Sequence, residues 1–247
     1  MSGGILALFA ATVLATTFLA GLFGMAGGVL LMGALLFLVP VADAMVLHGI
    51  TMIVANGWRG VLWRRYILWD VLARYVLGLV LAGALFTGLM IVPDERVILL
   101  MLGVMAYLGL ILPDRMVPQA DRPFGAELCG FLCTGFQLLS GVSGPMFDVF
   151  FVRTTLDRRA VVATKSACQL ITHIAKLVYF GVLVGGVTAI SGDPVVIGAA
   201  ILMAIAGTSL ARPLLERMSD AAFRRYTSRI LMGVGAVFLL RGIIGFF

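Results

Sequence analysis

Apolar residues fall in ten runs along the chain, with the polar residues gathered between them. The runs cover roughly 4–22, 27–39, 43–62, 69–91, 95–112, 124–141, 145–153, 159–187, 194–212 and 225–246. They are continuous and do not alternate, which predicts helices and argues against strands. A membrane core of about 30 Å takes about 20 helical residues. Two runs, 27–39 and 145–153, fall well short of that. Each follows a glycine-rich break, Gly21-Leu22-Phe23-Gly24-Met25-Ala26-Gly27-Gly28 in one case and Gly141-Val142-Ser143-Gly144-Pro145 in the other. Helical hairpins broken inside the membrane fit these lengths. Broken backbone at that depth is tolerated only where protein or water satisfies it. The fold class expected is an all-α polytopic membrane protein.

Composition agrees. The 247 residues are 62% hydrophobic and only 12% charged, and the mean hydropathy is +1.11. A soluble domain cannot hide that much apolar surface. The formal charge of +6 is mostly arginine, which in a membrane protein points to cytoplasmic connections before nucleic acid. Arg64, Arg65, Arg74, Arg115, Arg122, Arg153, Arg158, Arg159, Arg212, Arg217, Arg224, Arg225 and Arg229 fall in or beside the connections 63–74, 113–123, 153–159 and 212–229. The alternate connections, 40–43, 93–96 and 188–194, hold Arg96 beside Asp43, Asp94, Glu95 and Asp193. The bias places the first set in the cytoplasm and both termini outside. Residues 1–19 lack a basic n-region and read as the first membrane segment, not a cleaved signal. Three cysteines without metal spacing predict neither a disulfide framework nor a zinc site. Cys129 and Cys133 read as packing residues.

Two halves emerge, 1–112 and 124–247, joined by a polar cytoplasmic linker, 113–123. Each has five segments in one order: long, break, short, then three long. Five is odd, so the second half would enter the membrane inverted, a common transporter plan. One register pairs Gly24 with Gly141, Gly27 with Gly144, His48 with Lys165, Asn56 with His173 and Arg59 with Lys176.

A charge at the centre of a membrane helix costs about 2.5–3.5 kcal/mol on insertion scales. Such residues therefore have a partner, an exit to the interface, or a task. Both lysines of the chain, Lys165 and Lys176, lie in the run 159–187 with Gln169, Thr172 and His173. They are three helical turns apart, about 16 Å. His48 and Arg59 have the same spacing in the first half, with Asn56 between. Two facing polar stripes would line a pathway. Plainer readings stand beside this one. Arg59 and Lys165 can extend to the interface, His48 and His173 can be packing histidines, and Asp148 can be a structural partner of a lysine or a proton carrier. Glu127 suits the start of a helix whatever its role. A helix that begins inside the membrane aims N–H groups and a positive dipole end at the cavity. Two such ends, with the Ser140 and Ser143 hydroxyls, would cradle an oxyanion, and Pro145 suits a first turn.

At these residues the sequence resembles the TauE/SafE family of sulfite exporter-type permeases. The resemblance spans nearly the whole chain and lies in the paired glycine motifs and the two-half layout. It implies transport of sulfur-containing anions such as sulfite or organosulfonates, usually outward, across a bacterial inner membrane. The first motif ends Gly27-Gly28 and the second Gly144-Pro145, a departure that leaves open which half-site binds.

The leading expectation is therefore a proton-coupled secondary transporter of a small oxyanion. Substrate-binding candidates are Gly24, Gly27, Gly28, His48, Asn56, Arg59, Gly141, Ser143, Gly144, Lys165, Gln169, Thr172 and Lys176. Proton-coupling candidates are His48, His173 and Asp148, since histidine titrates near physiological pH. No cofactor, metal or catalytic set is expected. The alternatives are a membrane-embedded enzyme, for which no HExxH or nucleophile elbow is present, and a non-transporting partner of another membrane complex. No nucleotide-binding motif supports ATP drive.

Overall fold

The computed structural model describes residues 3–23, 25–111, 119–151, 154, 156–217 and 220–244. Gly24, most of the 113–123 linker, Arg115 and Arg153 lie outside the described residues, as do the side chains of Arg158, Arg212, Arg217, Arg224 and Arg225. Among the described residues ten α-helices follow in order: α1 (Gly3–Phe23), α2 (Met25–Leu38), α3 (Val41–Leu62), α4 (Trp69–Leu89), α5 (Glu95–Ile111), α6 (Gly125–Ser140), α7 (Gly144–Phe151), α8 (Arg158–Leu177), α9 (Pro194–Arg217) and α10 (Asp220–Ile244). A 3-10 turn, Arg64–Tyr66, follows α3, and a π-helical turn, Val178–Leu183, continues α8. No strand occurs among the described residues. Among the described residues, five stretches are long and apolar enough to cross a membrane: Gly3–Leu22, Val41–Leu62, Trp69–Leu89, Arg159–Leu183 and Pro194–Ala211. The chain is a polytopic helical membrane protein, as its apolar runs predict.

The two short runs become α2, of 14 residues, and α7, of 8. Why α6 gives way to α7 is legible residue by residue. Gly141 sits at φ +75°, a left-handed conformation that glycine adopts without steric cost. Its N–H bonds back to the Gln137 carbonyl at 2.9 Å, closing the helix. The Ser140 hydroxyl donates to the Val142 carbonyl at 2.8 Å. Pro145 then falls in the first turn of α7, where its missing N–H costs no helical bond.

The largest helix packings are α1 with α9, α4 with α6, α5 with α10 and α3 with α8. Between apolar helices in lipid, close approach and interhelical hydrogen bonds hold the bundle together. At the α4–α6 crossing a Cβ on Gly78 would overlap the Glu127 carbonyl oxygen, and one on Gly130 the Tyr75 carbonyl oxygen. Between α5 and α10, Gly103 lies against Leu239 and Gly242 against Leu100. These are the same two positions on each helix, taken in exchange.

The connections sort to two faces. On one face Leu68 N donates to Thr164 Oγ1 at 2.9 Å, Arg159 to the Tyr66 hydroxyl at 3.2 Å, and Ala120 N to the Phe150 carbonyl at 3.1 Å. There Arg74 also clamps Glu127 at 2.8 Å and the Arg122 carbonyl at 2.7 Å. On the other, Ser191 N donates to Asp43 at 3.1 Å, the Tyr179 hydroxyl to the Ile91 carbonyl at 2.8 Å, and Arg241 pairs with Glu95 at 3.2 Å. Arg64, Arg65, Arg74, Arg122 and Arg159 therefore share one face. Asp43, Asp94, Glu95 and Asp193 gather at the opposite one.

Candidate functional site

Where α3 packs on α8, the interior turns polar. His48, Asn56, Gln137, Ser143, Gln169, His173 and Lys176 are all buried. His48, Asn56 and Arg59 lie at helical spacing on α3, and Gln169, His173 and Lys176 likewise on α8, so each set occupies one face. The break at 141–143 delivers Ser143 and the head of α7 between them.

Within this region lies a cavity of about 20 Å³, lined by Gly28, His48, Asn56, Arg59, Ser143, Gly144, Gln169 and His173, with Ala20, Met52, Ala55 and Val142. That volume holds about one water molecule and is too small for a three-oxygen anion. Both chain halves contribute to the lining. The Arg59 guanidinium, half-buried, gives one N–H to the Ala20 carbonyl at 2.9 Å. It is the one cation among the cavity's lining residues.

A hydrogen-bonded network braces the second half of the lining. Gln137 Nε2 donates to the Gly141 carbonyl at 2.8 Å and to His173 Nδ1 at 3.1 Å. Its Oε1 accepts from the Ser143 hydroxyl at 2.7 Å. Because Gly141 O only accepts, the amide orientation is determined. On the other side, His48 Nε2 lies 3.0 Å from the Gly28 carbonyl, and Lys176 Nζ lies 2.8 Å from His48 Nδ1 and 3.0 Å from the Gly141 carbonyl. The His48 and His173 rings stand 5.4 Å apart, tilted by 46°.

A family model described as the sulfite exporter TauE/SafE matches residues 8–238. The chain belongs to the TauE/SafE family. No curated protein and no solved structure matches it. TauE/SafE proteins are membrane transporters and not enzymes, and the family implies an anionic substrate.

In this TauE/SafE chain the candidates read from sequence divide into two groups. Gly28, His48, Asn56, Arg59, Ser143, Gly144, Gln169 and His173 come together around the cavity. Gly27 instead packs against α1, where an added Cβ would overlap Thr16 O and Ala20 N. Gly141 serves through its carbonyl, which takes hydrogen bonds from Gln137 and Lys176. Lys176, fully buried, stands behind His48 and not in the lining. Thr172 turns toward α4, with its hydroxyl 2.5 Å from that of Tyr75. Lys165 forms an ion pair with Asp148, so neither reaches the cavity. The two lysines share a stripe of α8, but Lys165 lies three turns nearer the basic face, where Asp148 of α7 is its neighbour. Gln137 escaped the sequence reading. Its one signal was an amide flanked by Phe136, Leu138 and Leu139 near the end of α6, four residues before Gly141.

Proposed function

We propose that this protein is a secondary transporter that moves a small sulfur-containing oxyanion, sulfite or an organosulfonate, outward across the bacterial inner membrane, coupled to proton movement. Arg59 supplies the fixed positive charge. His173, Asn56, Gln169 and the N-terminal N–H groups of α7 supply neutral donors, and a helix start is a ready anion site. The observation that carries this reading is a buried cavity whose single lining cation and several donors come from both halves of the chain.

The halves 1–112 and 124–247, joined by 113–123, act in this reading as two inverted repeats. Exchanging α1 with α6, α2 with α7, α3 with α8, α4 with α9 and α5 with α10 carries each of the largest helix packings into another of them or into itself. An odd number of helices per half sets the halves in opposite directions. With the arginine-rich face in the cytoplasm, both termini lie outside. A cavity too small for the anion fits a contracted state that opens when α3 and α8 separate, as alternating access between repeats requires.

The test is radiolabelled sulfite counterflow in proteoliposomes, with sulfate and an organosulfonate as competitors. Arg59→Gln removes the charge and keeps hydrogen-bonding capacity. Counterflow should fall roughly a hundredfold, the scale of losing one buried charge-assisted contact. Undiminished flux in that variant would remove Arg59, and with it this reading of the cavity.

A further inference from the structure

The contacts of His48 determine where its hydrogens are. Nε2 faces the Gly28 carbonyl at 3.0 Å, and a carbonyl only accepts, so Nε2 carries a hydrogen. Nδ1 faces Lys176 Nζ at 2.8 Å. The other partner of Nζ, the Gly141 carbonyl at 3.0 Å, is again a pure acceptor. With no added proton, a neutral Lys176 amine donates one N–H to a bare Nδ1 and the other to Gly141 O. With one added proton, two arrangements satisfy every atom. Either a Lys176 ammonium donates to a bare Nδ1, or a His48 imidazolium donates from Nδ1 to a neutral amine that still donates to Gly141 O. One proton moving across 2.8 Å interconverts them: an Nζ–H bond breaks and an Nδ1–H bond forms. One unit of positive charge then passes from Lys176, behind the lining, to His48, within it.

His173 is held otherwise. Its Nδ1 accepts from Gln137, so its hydrogen sits on Nε2, and a proton at Nδ1 would require breaking that bond. Arg59 lines the same cavity as His48 and is a fixed positive charge there, with one N–H on the Ala20 carbonyl. The other ionisable neighbours are engaged elsewhere. Asp148 pairs with Lys165, Asp43 accepts from Thr188 and Ser191, Tyr75 meets Thr172, and Tyr179 donates to Phe86 and Ile91. Facing the pair from α2 and the α6–α7 break are neutral carbonyls, those of Gly28 and Gly141.

We propose that the Lys176–His48 pair is the proton-binding site of the transport cycle: it is neutral in the empty protein and takes up one proton when an anion binds, and the anion draws that proton toward the cavity. This rests on the transport reading above and assigns the coupling to a pair that bridges α3 of one half and α8 of the other. Asp148 and His173 take no part in carrying the proton.

Two measurements test it. Sulfite binding to the full-length wild-type protein is titrated calorimetrically in buffers of different ionisation enthalpy. The heat should depend on the buffer with a slope near one proton per anion. In proteoliposomes, Lys176→Met should lose pH-gradient-driven sulfite accumulation by roughly tenfold or more, and in the calorimeter its binding heat should no longer depend on the buffer. Gradient-driven accumulation that persists in Lys176→Met overturns the proposal, and so does a buffer-independent heat in the wild type. Should Lys176→Met fail to fold, the wild-type heat decides alone. Wild-type protein that shows no exchange at all would instead strike the transport reading itself.

Discussion

Gln137→Glu keeps the length and shape of the side chain while reversing what it offers. A carboxylate accepts from Ser143 as the amide does, but has no hydrogen for the Gly141 carbonyl or for His173 Nδ1. His173 meets it by moving its own hydrogen to Nδ1, which leaves Nε2 without one. An anion in the cavity then loses one neutral hydrogen bond, about 1 kcal/mol. The new charge lies one hydrogen bond and one imidazole ring away from that anion, about 8 Å with a second hydrogen bond beyond the ring. At an effective dielectric of about 20 this repulsion is about 2 kcal/mol. Together they amount to about 3 kcal/mol, somewhat over a hundredfold in Kd. Calorimetric titration with sulfite measures it, and unliganded thermal unfolding reports any loss of stability separately. Gln137→Met, which removes the donors without adding charge, should weaken binding by only about tenfold. A Gln137→Glu protein that binds sulfite within about threefold of wild type would refute both the tautomer assignment and the placement of the anion.

Three further outcomes follow from the packing. Gly78→Val should abolish folding, because its Cβ would meet backbone at the Glu127 carbonyl, whereas Gly83→Ala has open space and should gain up to about 1 kcal/mol in helix propensity, read by thermal unfolding. Lys165→Met alone leaves the Asp148 carboxylate part-buried and unpaired and should destabilise by about 3 kcal/mol. Pairing it with Asp148→Leu should recover most of that loss and preserve sulfite exchange. Cysteine substitutions at Arg65 and Asp193, on the two faces, should label from opposite sides of sealed vesicles, with the Arg65 site facing the cytoplasm.

The gross architecture was readable because lipid imposes a coarse rule: apolar runs of spanning length become helices, and arginines collect on one side. The break at Gly141 was also readable, since glycines, Ser143 and Pro145 interrupt an apolar run. What joins in space was harder. Lys165 and Lys176 occupy one stripe of α8, yet which helix stands opposite changes along its length, from α7 at Asp148 to α3 at His48. Thr172 belongs to that stripe too but turns to Tyr75 on α4. Gln137 matters only through the Gly141 carbonyl, Ser143 and His173 converging on it, and no local pattern records that convergence.

The reciprocal seam between α5 and α10, Gly103 on Leu239 and Gly242 on Leu100, bears on what sets the direction of travel. A joint whose two sides are interchangeable resists a tilt toward either side of the membrane equally. Packing of that kind acts as a balanced pivot and not as a ratchet. Whether solute leaves or enters would then be decided by the solute and proton concentrations on the two sides, and inverting those should reverse the net flux without a single change of residue.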